Sequence, residues 1–557
     1  MSVLAWIALA LGAATTLALL AGRVHLFLHL LQLEHYELRR LRVWVARRNE
    51  RLAPRDLALG AGAAALLAVA FGLGLTALAV AIGVAGFILA TARARTVLGR
   101  EQVKPLQFTP RATRLYVTAI ALVALALAVP LALAALTTPT LGALALVVIA
   151  AALLLLAPEL LGLANLAMRP VQRADNARFE RRARRRLREV APLVIGITGS
   201  YGKTTTKGCV AQVANLAGPT LPTPASFNSY LGVIRTINEN LRSDHRTFVV
   251  EMGAYRRGDI AELCRLVGPR IGILTAIGPA HLERFGTLEQ TTLAKGELAE
   301  GLPADGVFIT RADDARCRAA AERAPCPVRL FSPDPHPQAT AWAENARLDE
   351  GRSRFDLCLR GEGEVTRRPV SARLLGRHNI ANLLAAALAG VELGLAPEQI
   401  ARALGQVTPP EHRLSPIVNR AAGIVVIDDA YNANPAGAAA ALEVLAAHPG
   451  KRRILVTPGM VELGDREEAE NERFGAAAAA VCDVVVLVGE KQAAPIRRGL
   501  EAAGFAPDGL RTVADSGGAE RLLAETSRAG DVILFENDLP DLYRGPAGSA
   551  EQTAAAA

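Results

Sequence analysis

The chain has 557 residues, 51 % of them hydrophobic, with 62 lysines and arginines against 53 aspartates and glutamates and a net charge of +9. Residues 1–190 hold 23 basic and 9 acidic side chains, which leaves −5 for residues 191–557, so the basicity argues against a nucleic-acid-binding body. The six cysteines (Cys209, Cys264, Cys317, Cys326, Cys358 and Cys482) form no C-x-x-C pair, which argues against a disulfide framework or a zinc site and fits a reducing compartment.

The first third reads as membrane. Val3–Gly22 carries no charge, and roughly 20 such residues cross about 30 Å of hydrocarbon. No Lys or Arg precedes it, unlike the basic start of a cleaved signal peptide. Leu57–Ala92 is too long for one span and predicts two helices turning near Gly72–Gly74. Tyr116–Leu136 and Leu141–Leu156 add two more, giving five spans within residues 1–168. The loops Arg39–Arg55 and Arg93–Arg114 and the linker 169–190 are rich in arginine. Burying one arginine at mid-membrane costs about 2.5–3.5 kcal/mol, so these loops lie outside the hydrocarbon. The positive-inside rule then predicts a multi-pass protein of the cell membrane, with the N-terminus outside and residues 169–557 cytoplasmic. The bilayer is thus an expected partner, and Arg178–Arg188 is expected on anionic headgroups.

Pro192–Thr198 predicts a buried parallel strand. It leads into Gly199-Ser200-Tyr201-Gly202-Lys203-Thr204-Thr205 and then a helical pattern. Strand, glycine loop and helix start are the context in which backbone N–H groups cradle phosphate. Lys203 is expected at the terminal phosphates, with a hydroxyl of Thr204 or Thr205 on Mg²⁺. The position five before Gly202 is Ile197, so the loop is the short G-x-x-G-K-T-T form. Thr247–Met252 predicts a second strand with Glu251 at its carboxyl end, where open α/β sheets gather ligands. Glu251 is therefore a candidate Mg²⁺ ligand. Arg270–Thr275 predicts another buried strand, followed by His281.

From about Val194 to Leu542 the chain resembles the Mur ligase family, most nearly the branch that adds D-alanyl-D-alanine to a muramoyl tripeptide. Seven blocks carry the resemblance in order: GITGSYGKTTTK at 196–207, VVEMGA at 249–254, AHLERFGT at 280–287, AKGE at 294–297, GRHNIANLLAA at 376–386, DDAYNANP at 428–435 and PGMVELG at 458–464. The resemblance implies ATP and Mg²⁺ as cofactors. It implies His281 near a second metal and Lys295 as a carbamylated lysine, whose anionic oxygen suits a hard cation. It further implies Asn379 at the nucleotide base, Arg413 reaching ATP, Asp429 at the ribose and Asn228 on the substrate side.

The expected architecture is α/β: a helical membrane region, a phosphate-loop central domain over 191–410, and a smaller Rossmann-like domain over 411–545. The latter has strands near Gly423–Asp428, Arg453–Thr457, Val484–Val488 and Val532–Phe535, and a disordered tail follows over 546–557. Ser226 and Ser229 stand where asparagines are usual in the family, and three larger features depart from it. The membrane region stands where a uridine-nucleotide-binding domain is usual. Ala276 replaces an asparagine. Phe535-Glu536-Asn537-Asp538-Leu539-Pro540 stands where Lys-Gly-Ser is usual.

The expected reaction is ATP-dependent amide formation through an acyl phosphate in peptidoglycan precursor synthesis. The substrates would be a muramoyl-peptide-like acid, soluble or lipid-linked, and an amino acid or dipeptide amine. A polyglutamate- or cyanophycin-type ligase, an ATP-driven transporter and an inactive scaffold are the rival readings. Almost no ionisable residues in the spans argues against the transporter, and intact Lys203, Glu251 and His281 argue against the scaffold.

Overall fold

The structure is a computed structural model that describes residues 2–33, 36–47, 54–98, 106–225, 227–279, 285–349, 351–361, 363–430, 433–448, 452–461 and 463–537. The expected tail 546–557 lies outside them. Two compact units divide between Ala177 and Arg178.

The first unit is helical: α1 (Val3–Leu33), α2 (Leu38–Arg47), α3 (Pro54–Gly72), α4 (Thr76–Leu98), α5 (Pro110–Leu136), α6 (Pro139–Leu155) and the first part of α7 (Ala157–Val190). Thr-Pro pairs start two of them. The Ala112 N–H donates to Thr109 Oγ1 at 3.2 Å, and the Leu141 N–H donates to Thr138 Oγ1 at 3.3 Å. Proline at the first helical position has no N–H to leave unsatisfied, and the preceding threonine supplies the cap. By length and composition, α1, α3, the Thr76–Thr96 part of α4, and α5 can each cross a membrane. The pair α6 and α7, bent by 77°, raises the number to as many as five. The expected turn at Gly72–Gly74 separates α3 from α4. The first helix, however, continues through Arg23 to Leu33. It can do so because Arg23 Nη1 lies 3.2 Å from Asp56 Oδ2 in α3, and Arg93 Nε of α4 lies 3.0 Å from Asp56 Oδ1. A paired charge of this kind is far cheaper to bury than a lone one.

The second unit begins with the rest of α7, whose Ala183 is buried against the α/β body. Arg184 Nη1 donates to the Arg265 carbonyl at 3.0 Å and Arg186 Nε to the Leu241 carbonyl at 3.0 Å. Part of the basic segment expected on headgroups is therefore directed at the body.

The body holds two sheets. The first runs β2 (Thr220–Pro222), β3 (Thr247–Glu251), β1 (Leu193–Thr198), β4 (Ile271–Leu274), β5 (Val307–Arg311), β6 (Val328–Ser332), β7 (Ala341–Asp349), β8 (Arg352–Arg360), β9 (Val365–Ala372). It is parallel through β7 and antiparallel beyond. Successive side chains point to opposite faces. Ile195, Ile197, Val249 and Ile273 share one core with helices Lys203–Ala214 (α8) and Arg377–Glu392. Val194, Phe248, Val250 and Leu274 share another with Tyr230–Asn240 (α9), Asp259–Val267 and Leu288–Glu300. Covering both faces explains the unbroken apolar strands.

The second sheet runs β10 (Ser415–Asn419), β11 (Ile424–Asp429), β15 (Asp531–Glu536), β12 (Arg452–Thr457), β13 (Val484–Val488), β14 (Leu510–Val513), all parallel except the β10–β11 pair. The edge strands β10 and β14, and the whole β5–β9 extension of the first sheet, were not anticipated. In the first sheet the chain passes from β1 to β2 and β3 on one side of it and then crosses to β4 on the other, and such a reversal leaves a crevice at the strand ends.

Candidate functional site

The loop Gly199–Gly202 occupies that crevice, between β1 and α8. Gly202 has φ 76° at the helix start, a left-handed backbone that favours glycine. A Cβ on Gly199 would stand 2.0 Å from Thr275 Oγ1, so only glycine fits beside β4. The Ser200 N–H donates to the Ala276 carbonyl at 2.8 Å, and Ser200 Oγ both donates to the Gly278 carbonyl and accepts the Gly278 N–H, at 3.0 Å each. Thr275 Oγ1 donates to the Thr198 and Tyr201 carbonyls. The loop is thus held from the β4 side, and among the described residues the first-turn N–H groups of Lys203, Thr204 and Thr205 meet no acceptor. Among the described residues the buried Tyr201 hydroxyl has no hydrogen-bond partner, and burial pushes its pKa up.

Lys203 Nζ donates to the Gly199 carbonyl at 2.7 Å and the Ser200 carbonyl at 3.3 Å, folded over its own loop. Its pKa is lowered, chiefly by burial; Glu251 opposes the shift and Arg413 adds to it. Thr204 is half-buried and Thr205 buried on the same turn. Glu251, 1 % exposed at the end of β3, lies with Oε2 3.0 Å from Lys207 Nζ and accepts from Asn228 Nδ2 at 3.0 Å on Oε1. Burial raises its pKa, but Lys207, Lys203 and Asn228 together outweigh burial and hold it below the ordinary carboxylate range. It is therefore an anionic oxygen donor beside the phosphate loop, the chemistry that Mg²⁺ takes along with phosphate oxygens and water. Among the described residues no three His, Cys, Asp or Glu side chains gather as a metal cage.

Lys295 is 2 % exposed on the helix Leu288–Glu300, with Nζ 5.7 Å from the centre of the Phe285 ring. Burial drives its pKa well below the ordinary lysine value and the Lys203 charge pushes it further, with Asp259, Glu297 and Glu251 opposing. Its neighbour Glu297 accepts the Gly258 N–H at 2.6 Å and the Ala261 N–H at 3.1 Å, capping the helix Asp259–Val267. His281 lies outside the described residues.

Asn379 is buried at the start of the helix Arg377–Glu392. Its Nδ2 donates to the Leu375 carbonyl at 2.8 Å, and its Oδ1 accepts from Asn382 Nδ2 at 2.9 Å. Asn382 Oδ1 accepts in turn from Thr206 Oγ1 at 3.0 Å and lies under Gly202. This relay ties the base-side candidate to the phosphate-loop helix. Sequence reading passed over both Lys207 and Asn382. The signals were present: Lys207 is one helical turn beyond Lys203, and Asn382 one turn beyond Asn379.

Arg413 lies between two left-handed residues, His412 (φ 57°) and Leu414 (φ 46°), a backbone rare outside glycine and asparagine. His412 Nδ1 is 2.7 Å from Asp428 Oδ2, and the Leu414 N–H donates to Asp429 Oδ1 at 3.1 Å. The Arg413 charge pushes the Lys203 pKa down and also opposes the raised values of Asp429 and Glu536, so it stands near both the phosphate loop and the end of β11. Of the residues read from sequence, Gly199–Thr205, Glu251, Asn228 and Lys295 form one cluster, and Arg413 links it to Asp429.

Residues 197–390 match the Mur ligase middle domain, and residues 412–536 match the Mur ligase, glutamate ligase domain. The chain is 35 % identical over 367 residues to the UDP-N-acetylmuramoyl-tripeptide--D-alanyl-D-alanine ligase of Mycobacterium leprae, covering 62 % of this chain and 70 % of that one. It is 35 % identical over 305 residues to the enzyme of the same name from Escherichia coli, covering 54 % and 66 %. Among solved structures, it is similar to MurF from Acinetobacter baumannii (28 % identity, TM-score 0.56, covering 65 % of this chain and 77 % of that one). It is also similar to the MurF ligase from Thermotoga maritima in complex with ADP (25 % identity, TM-score 0.57, covering 65 % and 80 %).

Proposed function

This chain belongs to the Mur ligase family, and we propose that it joins a muramoyl-peptide carboxylate to D-alanyl-D-alanine or a related amine at a membrane surface, using ATP. The observation that carries the reading is the anionic Glu251 facing the phosphate loop, with Lys203 and Lys207 on one helix beside it.

In this reading the first-turn N–H groups of α8 bind the phosphates, and Lys203 leaves its loop carbonyls to neutralise charge on the terminal phosphoryl group as the acid attacks it. Asn379 faces the base, Arg413 the phosphates and Asp429 the ribose. Glu251 and the Thr204 or Thr205 hydroxyl would hold Mg²⁺, which supplies further charge neutralisation there. Lys207 and Asn228 keep Glu251 ionised and oriented. Lys295, with its lowered pKa, offers the neutral amine that reacts with carbon dioxide, and the resulting carbamate would be a second anionic oxygen donor. The amine then attacks the acyl carbon, the C–O bond to phosphate breaks, and the amide forms with release of inorganic phosphate and the amine's proton. No protein nucleophile is needed, since the work is positioning and charge neutralisation.

The apolar helices favour a particular acid. Residues 2–177 hold four helices, or up to five spans, long and apolar enough to cross a membrane, which supports the reading of a multi-pass protein of the cell membrane with its body cytoplasmic. A lipid-linked muramoyl peptide then meets the body at the bilayer surface. The test uses full-length protein in detergent or proteoliposomes with ATP, D-alanyl-D-alanine, and either the soluble UDP-linked tripeptide or its lipid-linked form. ADP release is expected with the acid and amine together, and greater with the lipid-linked acid. Lys203→Ala is expected to lower it by about 10²–10³-fold with the helical content unchanged. Full activity in that variant would defeat the proposal, and equal turnover of both acids would remove the membrane substrate.

A further inference from the structure

Lys207 of α8 is 5 % exposed and touches two parts of the site at once. Its Nζ lies 3.0 Å from Glu251 Oε2 and donates to the Ala225 carbonyl. Glu251 is the carboxylate that the ligase reading gives to the divalent cation. Ala225 lies between β2 and α9, on the stretch that also carries Asn228, the candidate on the substrate side. An ammonium group has three N–H donors, so it can keep both contacts.

The chain on either side of Ala225 is pinned to β3 and its continuation. The Thr223 N–H donates to the Val249 carbonyl at 2.9 Å, and Thr223 Oγ1 accepts the Glu251 N–H at 3.1 Å. Further along, the Gly253 N–H donates to the Asn228 carbonyl at 2.8 Å, and Asn228 Nδ2 donates to Glu251 Oε1 at 3.0 Å. Between these anchors Ala225 has a left-handed backbone (φ 41°), a strained state for alanine that persists only where its surroundings impose it. Among the described residues, the side chain that holds the Ala225 carbonyl is Lys207.

Both oxygens of Glu251 are therefore engaged from within the protein, Oε1 by Asn228 and Oε2 by Lys207. Mg²⁺ takes a carboxylate oxygen directly. An ammonium at contact distance from the same carboxylate repels it, and burial leaves little water to screen the repulsion. Metal and lysine thus compete for Oε2. The lysine, once displaced, still has the Ala225 carbonyl to hold.

We propose that Lys207 is a placeholder cation: it keeps Glu251 in position until the metal arrives, then commits to Ala225 and fixes the segment that meets the acid. This rests on the ligase reading above and adds to it a positioning residue that couples the metal side of the site to the acid side. Two consequences run in opposite directions. Removing the charge relieves the repulsion, so the divalent cation binds more tightly. Removing the donor frees Ala225, so the acid binds more weakly. A lysine that merely supported the fold would, on removal, loosen both.

The test uses the full-length protein in detergent at mildly alkaline pH, where Glu251 stays ionised without the lysine. Binding of Mn²⁺ in the presence of a non-hydrolysable ATP analogue is followed by electron paramagnetic resonance. The KM for the muramoyl tripeptide is measured with ATP and D-alanyl-D-alanine. Lys207→Met is expected to bind Mn²⁺ about tenfold more tightly and to raise the acid KM about tenfold. Lys207→Gln loses the charge but keeps an N–H donor for Ala225, so it is expected to tighten Mn²⁺ alone; it also serves should Lys207→Met fold poorly. Unchanged or weaker Mn²⁺ binding in these variants, or an acid KM unmoved by Lys207→Met, overturns the proposal. Wild-type protein that binds no Mn²⁺ with the analogue, or releases no ADP with any acid–amine pair, defeats the ligase reading instead.

Discussion

Both units bury large apolar side chains, Phe27 and Leu20 of α1 among them, but they differ in what they leave outside. In the body the large apolar side chains are inside: Phe248, Phe308 and Phe331 are fully buried between sheets and helices. In the helical unit large apolar side chains face outward, with Leu136 84 % and Leu125 70 % exposed, while Arg23 and Asp56 are inside. A body folded in water hides its hydrocarbon, whereas a bundle in lipid gains nothing by doing so and must instead pair its charges. The body also buries charges, Lys207, Glu251 and Lys295 among them, with Lys203 half-buried, but around a phosphate loop where ligands are expected. The same physical cost is thus met by a structural ion pair in one unit and by a binding site in the other.

The sharpest way to break this comparison is to remove the carboxylate that Arg23 and Arg93 share. Asp56→Ala should destabilise the helical unit by about 3–5 kcal/mol, read from thermal melting in detergent, because it removes the buried carboxylate that both guanidiniums share. A variant that melts like the parent would show that the pair has no structural role. Next in size, Leu125→Arg on the outward face of α5 should cost membrane insertion about 2.5–3.5 kcal/mol, seen as loss from the membrane fraction. Undiminished insertion would place that face in water.

Within the body, Lys207→Met removes the nearer cation from Glu251. The loss should be about 1–3 kcal/mol at neutral pH. The sign of its pH dependence is fixed by the lowered Glu251 pKa. Stability from this group is complete above the ordinary carboxylate value and disappears as pH falls through the lower folded one. In the variant burial dominates, the carboxyl protonates at higher pH, and the acid limb of ADP release should move up. An unmoved acid limb would contradict this. The smallest effect closes the comparison: Leu216→Arg, a half-exposed leucine of the body, should change stability by no more than about 0.5 kcal/mol. Equal losses for Leu125→Arg and Leu216→Arg would mean that both units share one solvent.

What could be read from the sequence follows the length over which each signal is written. The strands β1, β3, β4, β11, β12, β13 and β15 are short apolar runs that end at motif residues, and each lies within a residue or two of its expected place. The antiparallel strands β8 and β9 alternate and carry many arginines, so their apolar faces are defined only by the helices that cover them. The phosphate loop was legible because its chemistry is contiguous. Asn382 and Thr206 meet across 176 positions, and Asp429 and Glu536 come together only when β15 inserts between β11 and β12. Arg23 was missed as part of the first helix because its partner Asp56 is 33 residues away and on another helix.

The central claim is that Lys203 and the start of α8 hold a triphosphate so that its terminal phosphoryl group passes to an acid. The direct measurement starts from muramoyl tripeptide labelled with oxygen-18 in its terminal carboxylate, incubated with ATP, D-alanyl-D-alanine and the full-length protein. If an acyl phosphate forms, one labelled oxygen appears in the inorganic phosphate for each amide made, and none does with Lys203→Ala. Amide formation that leaves the phosphate unlabelled would contradict the account.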